Sequence, residues 1–224
     1  MITFTKLRKT GALRKKAFFV VFSILPLLAI QGCKKDDITP PMDMSNNPKV
    51  QALSKSMREL WEDHMQWTYA TVDAFFHNPD EINANMTRLL KNQRDIGDEI
   101  AIYYGQTAGD SLAHLLIDHI DDAVPVLTAA KNNDQTALND ALSAWYKNAQ
   151  DIADFLASAN PNWKQDEMRD MMKTHIDQTT AYAVLLLQND YDNAIQTYQQ
   201  ALAHMLMMSD DLTLGIAKQF PNKF

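Results

Sequence analysis

The chain has 224 residues, with 28 acidic against 21 basic side chains, a net charge of −7 and a single cysteine. Such an acidic excess excludes nucleic acid as a partner, because phosphate contacts need clustered Lys and Arg. One cysteine excludes an intramolecular disulfide, so the core alone must hold the fold. The chain opens with the basic stretch MITFTKLRKTGALRKK and the 14-residue apolar run AFFVVFSILPLLAI. A membrane span needs about 20 residues. A basic start followed by a short apolar run predicts a secretory signal instead.

That run ends Ala29-Ile30-Gln31-Gly32-Cys33. The ending resembles the lipobox of bacterial lipoproteins, in which the cysteine becomes the lipidated first residue of the mature chain. Lys34-Lys35-Asp36-Asp37 resembles the surface-export signal of Bacteroidota lipoproteins. These resemblances imply residues 1–32 as signal peptide and residues 33–47 as lipidated Cys33 with a flexible, proline-containing linker. Residues 48–224 then form a single domain. They also imply attachment to the membrane through Cys33, in the bacterial cell envelope at the outer membrane, with surface exposure as an extension of that reading. The first 32 residues carry six basic and no acidic side chains, so the rest of the chain stands at −13. Anchoring would therefore come from acyl chains and not from attraction to anionic lipid.

From residue 48 on, apolar residues recur at three and four, the helical period, and no segment alternates as a strand would. Asn47-Pro48 predicts a helix start, and the first helix runs over 48–77 with the stripe Leu53, Met57, Leu60, His64, Trp67, Thr71, Ala74. Asn78-Pro79-Asp80-Glu81 ends it and starts a second helix, closed by Tyr104-Gly105, with a break expected between Asn92 and Gly97. A third helix, about 107–130, contains Pro125, which should kink it. Asn132-Asn133-Asp134 is a turn and cap. A fourth helix reaches about 157, and Asn160-Pro161 marks the next break. A fifth runs about 163–188, and a sixth, capped by Asp190, about 191–218. No sequence repeat stands out. Short connections between long amphipathic helices predict an all-α fold, an up-and-down antiparallel helical bundle with a four-helix core and additional helical segments.

His64, His119 and His175 each occupy an apolar-stripe position near the middle of a different helix, and Asn148 does the same on a fourth. In an antiparallel bundle these positions meet at similar depth. Asp122 and Asp151 follow His119 and Asn148 by three residues, on the same side of their helices. Three readings compete. In the first, the three histidines are metal ligands for Zn, Fe, Ni or Cu, or contact a small polar ligand, with Asn148 and Asp122 orienting them and Trp67, Asp151 and Thr179 as secondary candidates. In the second, haem is held non-covalently by His and Met, since no Cys-x-x-Cys-His exists. In the third, the histidines are only hydrogen-bonded. The di-iron Glu-x-x-His pattern is missing, as are a phosphate-binding glycine loop and His-Glu-x-x-His.

Scattered residues carry a further resemblance: Leu60-Trp61, His64 and Trp67-Thr68; Arg88-Leu89-Leu90 and Asn92; Tyr104-Gly105; His119; Trp145-Tyr146, Asn148-Ala149, Ile152-Ala153 and Phe155-Leu156; Asn160-Pro161 and Trp163; His175; Asp190-Tyr191; Gln219-Phe220-Pro221. Over about residues 57–221 the chain resembles a family of small bacterial all-helical proteins of unestablished function, some from spore-forming bacilli. Transferase and kinase names are attached to some of them, and no nucleotide-binding loop in this chain supports such a name. The resemblance implies a helical bundle with His64, His119, Asn148 and His175 among its marked positions, and no reaction. The expectation is a lipid-anchored extracytoplasmic bundle whose His/Asn cluster binds a metal ion or small polar ligand. The alternatives are a structural or interaction lipoprotein with a protein partner and, behind it, a metal-dependent enzyme or haem protein.

Overall fold

The computed structural model describes residues 46–224, so the expected signal peptide, Cys33 and most of the expected linker lie outside the described residues. Six α-helices follow one another: α1 (Pro48–His77), α2 (Ile82–Tyr104), α3 (Gln106–Lys131), α4 (Gln135–Ala159), α5 (Gln165–Leu187) and α6 (Tyr191–Gln219). Among the described residues there is no strand, and no helix is long and apolar enough to cross a membrane. The fold is an all-α, up-and-down helical bundle. Each helix packs on the next and α6 packs back on α1, which closes a ring. The additional segments expected beside a four-helix core are thus two more full helices of the ring. α1, α3 and α5 also touch one another, so these three form the inner wall.

Local chemistry sets the helix ends. The Asn47 side chain accepts from the backbone of Lys49, with Pro48 in the first turn. α2 and α3 are joined by Gly105 alone, at φ 87, a conformation that favours glycine. The helices it joins approach closely: a Cβ on Gly97 would lie 2.6 Å from the Gly109 carbonyl oxygen. The expected break in α2 does not occur. α2 is continuous from Asn92 to Gly97, and α3 remains helical through Pro125.

The ring is a threefold repetition of one helical hairpin. His64, His119 and His175 are spaced by 55 and 56 residues. The buried positions follow the same spacing, as in Met57, Leu112 and Met168, or Met65, Ile120 and Ile176. On the outer helices the matching sets include Ile96, Ile152 and Met208, and Ile100, Leu156 and Leu212. Two of the hairpin turns are alike bond for bond. Asn133 (φ 53) and Asn189 (φ 61) adopt the left-handed conformation. Asp134 N–H donates to Ala129 O and Asp190 N–H to Leu185 O, each at 2.9 to 3.0 Å. The same two aspartates then cap α4 and α6. This is a helix-ending turn in which Asn tolerates the left-handed position and Asp starts the next helix. The first hairpin uses Asn78-Pro79 instead.

The three hairpins are tied together at the opposite end of the ring. Tyr104 OH donates to Gln219 Oε1 (2.7 Å), Asn160 Nδ2 donates to Tyr104 OH (2.8 Å), and Gln219 Nε2 donates to Ala159 O (3.1 Å). These residues lie at the C-terminal ends of α2, α4 and α6.

Candidate functional site

In every hairpin, a polar side chain of the outer helix donates to the backbone carbonyl four residues before the inner-helix histidine. Asn92 Nδ2 donates to Leu60 O (2.9 Å), Asn148 Nδ2 to Leu115 O (3.0 Å) and His204 Nε2 to Met171 O (2.9 Å). The sequence separations are 32, 33 and 33 residues. This repeated clamp fixes the register between the two helices of each hairpin and brings the three imidazoles to one level of the inner wall. The His175 ring centroid lies 5.6 Å from that of each of the other two. All three are buried, at 2 % exposure.

The clamp leaves the three rings chemically different. Asn148 commits its amide nitrogen to Leu115 O, so its oxygen faces His119 Nδ1 at 2.8 Å. His119 therefore donates from Nδ1 and carries a lone pair on Nε2, and that Nε2 is buried with no partner. At His64 the polarity is reversed. Gln93 Nε2 lies 3.2 Å from His64 Nδ1 and also faces Leu89 O and Asn92 Oδ1, both acceptors. The nitrogen facing His64 is thus the donor, which leaves Nδ1 as acceptor and the ring proton on Nε2. His175 has a buried Nδ1 without a partner.

Burial dominates the acid-base chemistry. It is the largest influence on His64, which falls to about 3, with His119 pushing the same way and Gln93 opposing. Burial likewise takes His119 down to about 4 against the Asn148 hydrogen bond. His175 lies well below the usual imidazole range through burial and the neighbouring His119, His64 and His204. The cluster holds three neutral imidazoles at neutral pH.

A cavity of about 70 Å³ adjoins these rings. Its cause is legible in side-chain size along the inner helices. One turn before the histidines stand Trp61, Leu116 and Met172, which fill the axis. One turn after them stand Thr68, Ala123 and Thr179, all lining the cavity. Trp145, whose ring centroid is 5.2 Å from that of His119, forms part of the wall, and its Nε1 is also buried without a partner.

The candidates taken from the sequence fall into two groups. His64, His119, His175, Asn148 and Thr179 come together as described. Asp122 does not join them. It is only partly buried, and its carboxyl is raised by burial and by Asp118 and Asp121, so Asn148 alone orients His119. Asp151 pairs with Lys147 on the surface. Trp67 is partly exposed beneath the Arg88 guanidinium, 5.7 Å from its ring, while Trp61 takes the inward place, edge-on to His64. The assumed stripe of α1 was too narrow: with neighbours on three sides, the helix buries Trp61, Met65 and Thr68 as well. Gln93, one of the polar neighbours the sequence offers a stripe histidine, is the partner of His64. Sequence reasoning passed over His204 as a clamp, and its spacing of 56 residues from Asn148, matching Asn92 to Asn148, was the signal available for it. Among the described residues, no group of three or more His, Cys, Asp or Glu is placed to hold a metal ion.

Comparison with known proteins adds no name to this geometry. No family model, curated protein or solved structure matches the chain.

Proposed function

We propose that this protein is a lipid-anchored, extracytoplasmic binding protein whose axial cavity holds a small molecule against the histidine layer. One observation carries the reading: an apolar cavity of about 70 Å³ lined by His64, His119 and His175, two of which also keep a buried ring nitrogen, His119 Nε2 and His175 Nδ1, without a partner among the described residues. An empty apolar cavity forfeits packing contacts that a bound small molecule would restore. A purely structural role accounts for the Nδ1 bonds of His64 and His119 and leaves His119 Nε2 and His175 Nδ1 unexplained. The metal reading of the same histidines asks each ring for a free lone pair, whereas His64 presents a hydrogen on Nε2 and has Nδ1 engaged. The anchor rests on the lipobox resemblance around Cys33.

The test is to purify the intact chain without chelator, denature it, and analyse what is released by mass spectrometry together with elemental analysis. A near-stoichiometric small molecule, absent from an Ala123→Leu variant that blocks the cavity, is the expected result. A near-stoichiometric transition metal in its place would overturn the small-molecule reading in favour of a metal centre. Loss of membrane association in Cys33→Ala tests the anchor separately.

A further inference from the structure

The axial cavity is lined in part by threonines and histidines, yet the wall it presents is almost wholly apolar. Local hydrogen bonding and burial explain the difference. Thr68 Oγ1 donates to His64 O (2.6 Å) and Thr71 Oγ1 to Trp67 O (2.7 Å), so both hydroxyl hydrogens are used on their own helix. His119 Nε2, His175 Nδ1, Trp145 Nε1 and the hydroxyl oxygens of Thr179 and Thr180 are sealed behind the wall, with essentially no accessible surface. None of the cavity-lining residues is an acid, a lysine or an arginine. The three imidazoles are neutral at neutral pH, because burial holds each below its usual range. A guest in this space therefore meets carbon. A polar or charged group taken inside would lose its water and gain neither a hydrogen bond nor a counter-charge.

Size and placement narrow the class further. A dry cavity of about 150 Å³ accepts benzene. The space here, about 70 Å³, is less than half of that: too small for a ring, with room for about three carbons of a chain. Its lining on α1 nevertheless runs from His64 to Phe76, twelve residues further on, or about 18 Å of helix rise. So small a volume along so long a wall is narrow. At the histidine layer the space ends on buried rings, with Trp61, Leu116 and Met172 packed behind them. Toward the other end its lining residues are Phe76, Met86 and Leu138, only partly buried, and Val184, which is exposed. All four stand near hairpin turns, so the space approaches the surface there. We infer that the cavity takes the methyl end of an unbranched alkyl chain, which enters from the hairpin-turn end and stops against the imidazole rings, with any polar head of the guest left outside. The inference rests on the small-molecule reading above and adds the chemical class.

The experiment uses the intact chain in a steroid detergent, whose fused rings are too wide for the cavity, with 13C-labelled alanine and threonine methyl groups observed by NMR near pH 7. The probes are xenon, n-butane, cyclohexane and octanoate. The expected result is a saturable shift of the Thr68, Ala123 and Thr179 methyl signals with xenon, n-butane and octanoate, and none with cyclohexane. Octanoate should show nuclear Overhauser contacts to Ala123 from its terminal methyl and none from the methylene beside its carboxylate. In Ala123→Leu, whose larger side chain fills the space, n-butane and octanoate binding should weaken about tenfold or more. Should that variant not fold, the wild-type contacts decide alone: the carboxylate end of octanoate found at Ala123, or cyclohexane bound as well as n-butane, overturns the alkyl-chain inference. Xenon or n-butane bound without octanoate would overturn it too and leave the cavity reading standing. No response to any of the probes would overturn both.

Discussion

The histidine layer divides the bundle axis into two regions built on the same repeated backbone. On one side Trp61, Leu116 and Met172 meet, backed by Met57, Leu112 and Met168, and the axis is packed. On the other side the equivalent level holds Thr68, Ala123 and Thr179, and a cavity opens. Helix register is common to both sides, so side-chain volume alone decides which is a core and which is a site. Packing supplies the rigidity on one side that keeps the other from collapsing, as close-packed interiors relax only partly around a void.

The largest expected effect strikes the boundary between the two regions. His64 and His119 are held near 3 and 4, below the 6.5 of a free imidazole. For groups with depressed values, the unfolded chain binds more protons as pH falls, so their stabilising contribution is complete above about 6.5 and drains away below it. By pH 5 each of these two should have withdrawn about 2 kcal/mol, with His175 acting in the same direction. Urea midpoints measured between pH 7.5 and 4.5 should fall steeply below 6.5. A flat profile would mean that the rings are solvated or already charged.

Next come substitutions that contrast the two sides. Trp61→Ala on the packed side should cost about 3–5 kcal/mol, as large aromatic truncations in cores do. Ala123→Val on the open side adds volume where there is room and should change stability by less than about 1.5 kcal/mol. Denaturant unfolding of both variants checks the pair, and equal costs would erase the distinction. A smaller effect probes the wall itself. Gly97→Ala pushes a methyl toward the Gly109 carbonyl where α2 and α3 approach closely, and overpacking of this kind costs about 1–3 kcal/mol. Its thermal midpoint should drop, while a neutral result would show that α2 and α3 can separate freely.

Much of the fold was legible because the chemistry that starts and stops helices is local. Asn47-Pro48, Asn132-Asn133-Asp134 and Asn160-Pro161 each punctuate the chain where the structure does. The three histidines were legible as mid-helix polar residues in apolar stripes. The repeat was not, because equivalent positions keep burial and not identity: Trp61, Leu116 and Met172 share only a place on the inner wall. The exchange of Trp67 for Trp61 has the same origin, since a stripe drawn for two neighbours is too narrow for an inner helix with more. Asp122 was misassigned because three residues along a helix is close in space only when the side chain also turns inward, and neighbouring acids give it none of the partners that inward burial needs. The cavity follows from three small residues on three helices, a pattern visible only once the registers are aligned.

Xenon binding observed crystallographically on the intact chain addresses the contrast between the two regions most directly. The account predicts one xenon site, on the axis beside Thr68, Ala123 and Thr179 and against the histidine rings, with none at the level of Trp61, Leu116 and Met172. A xenon site on the packed side, or an axis filled by side chains at the Ala123 level, would contradict it.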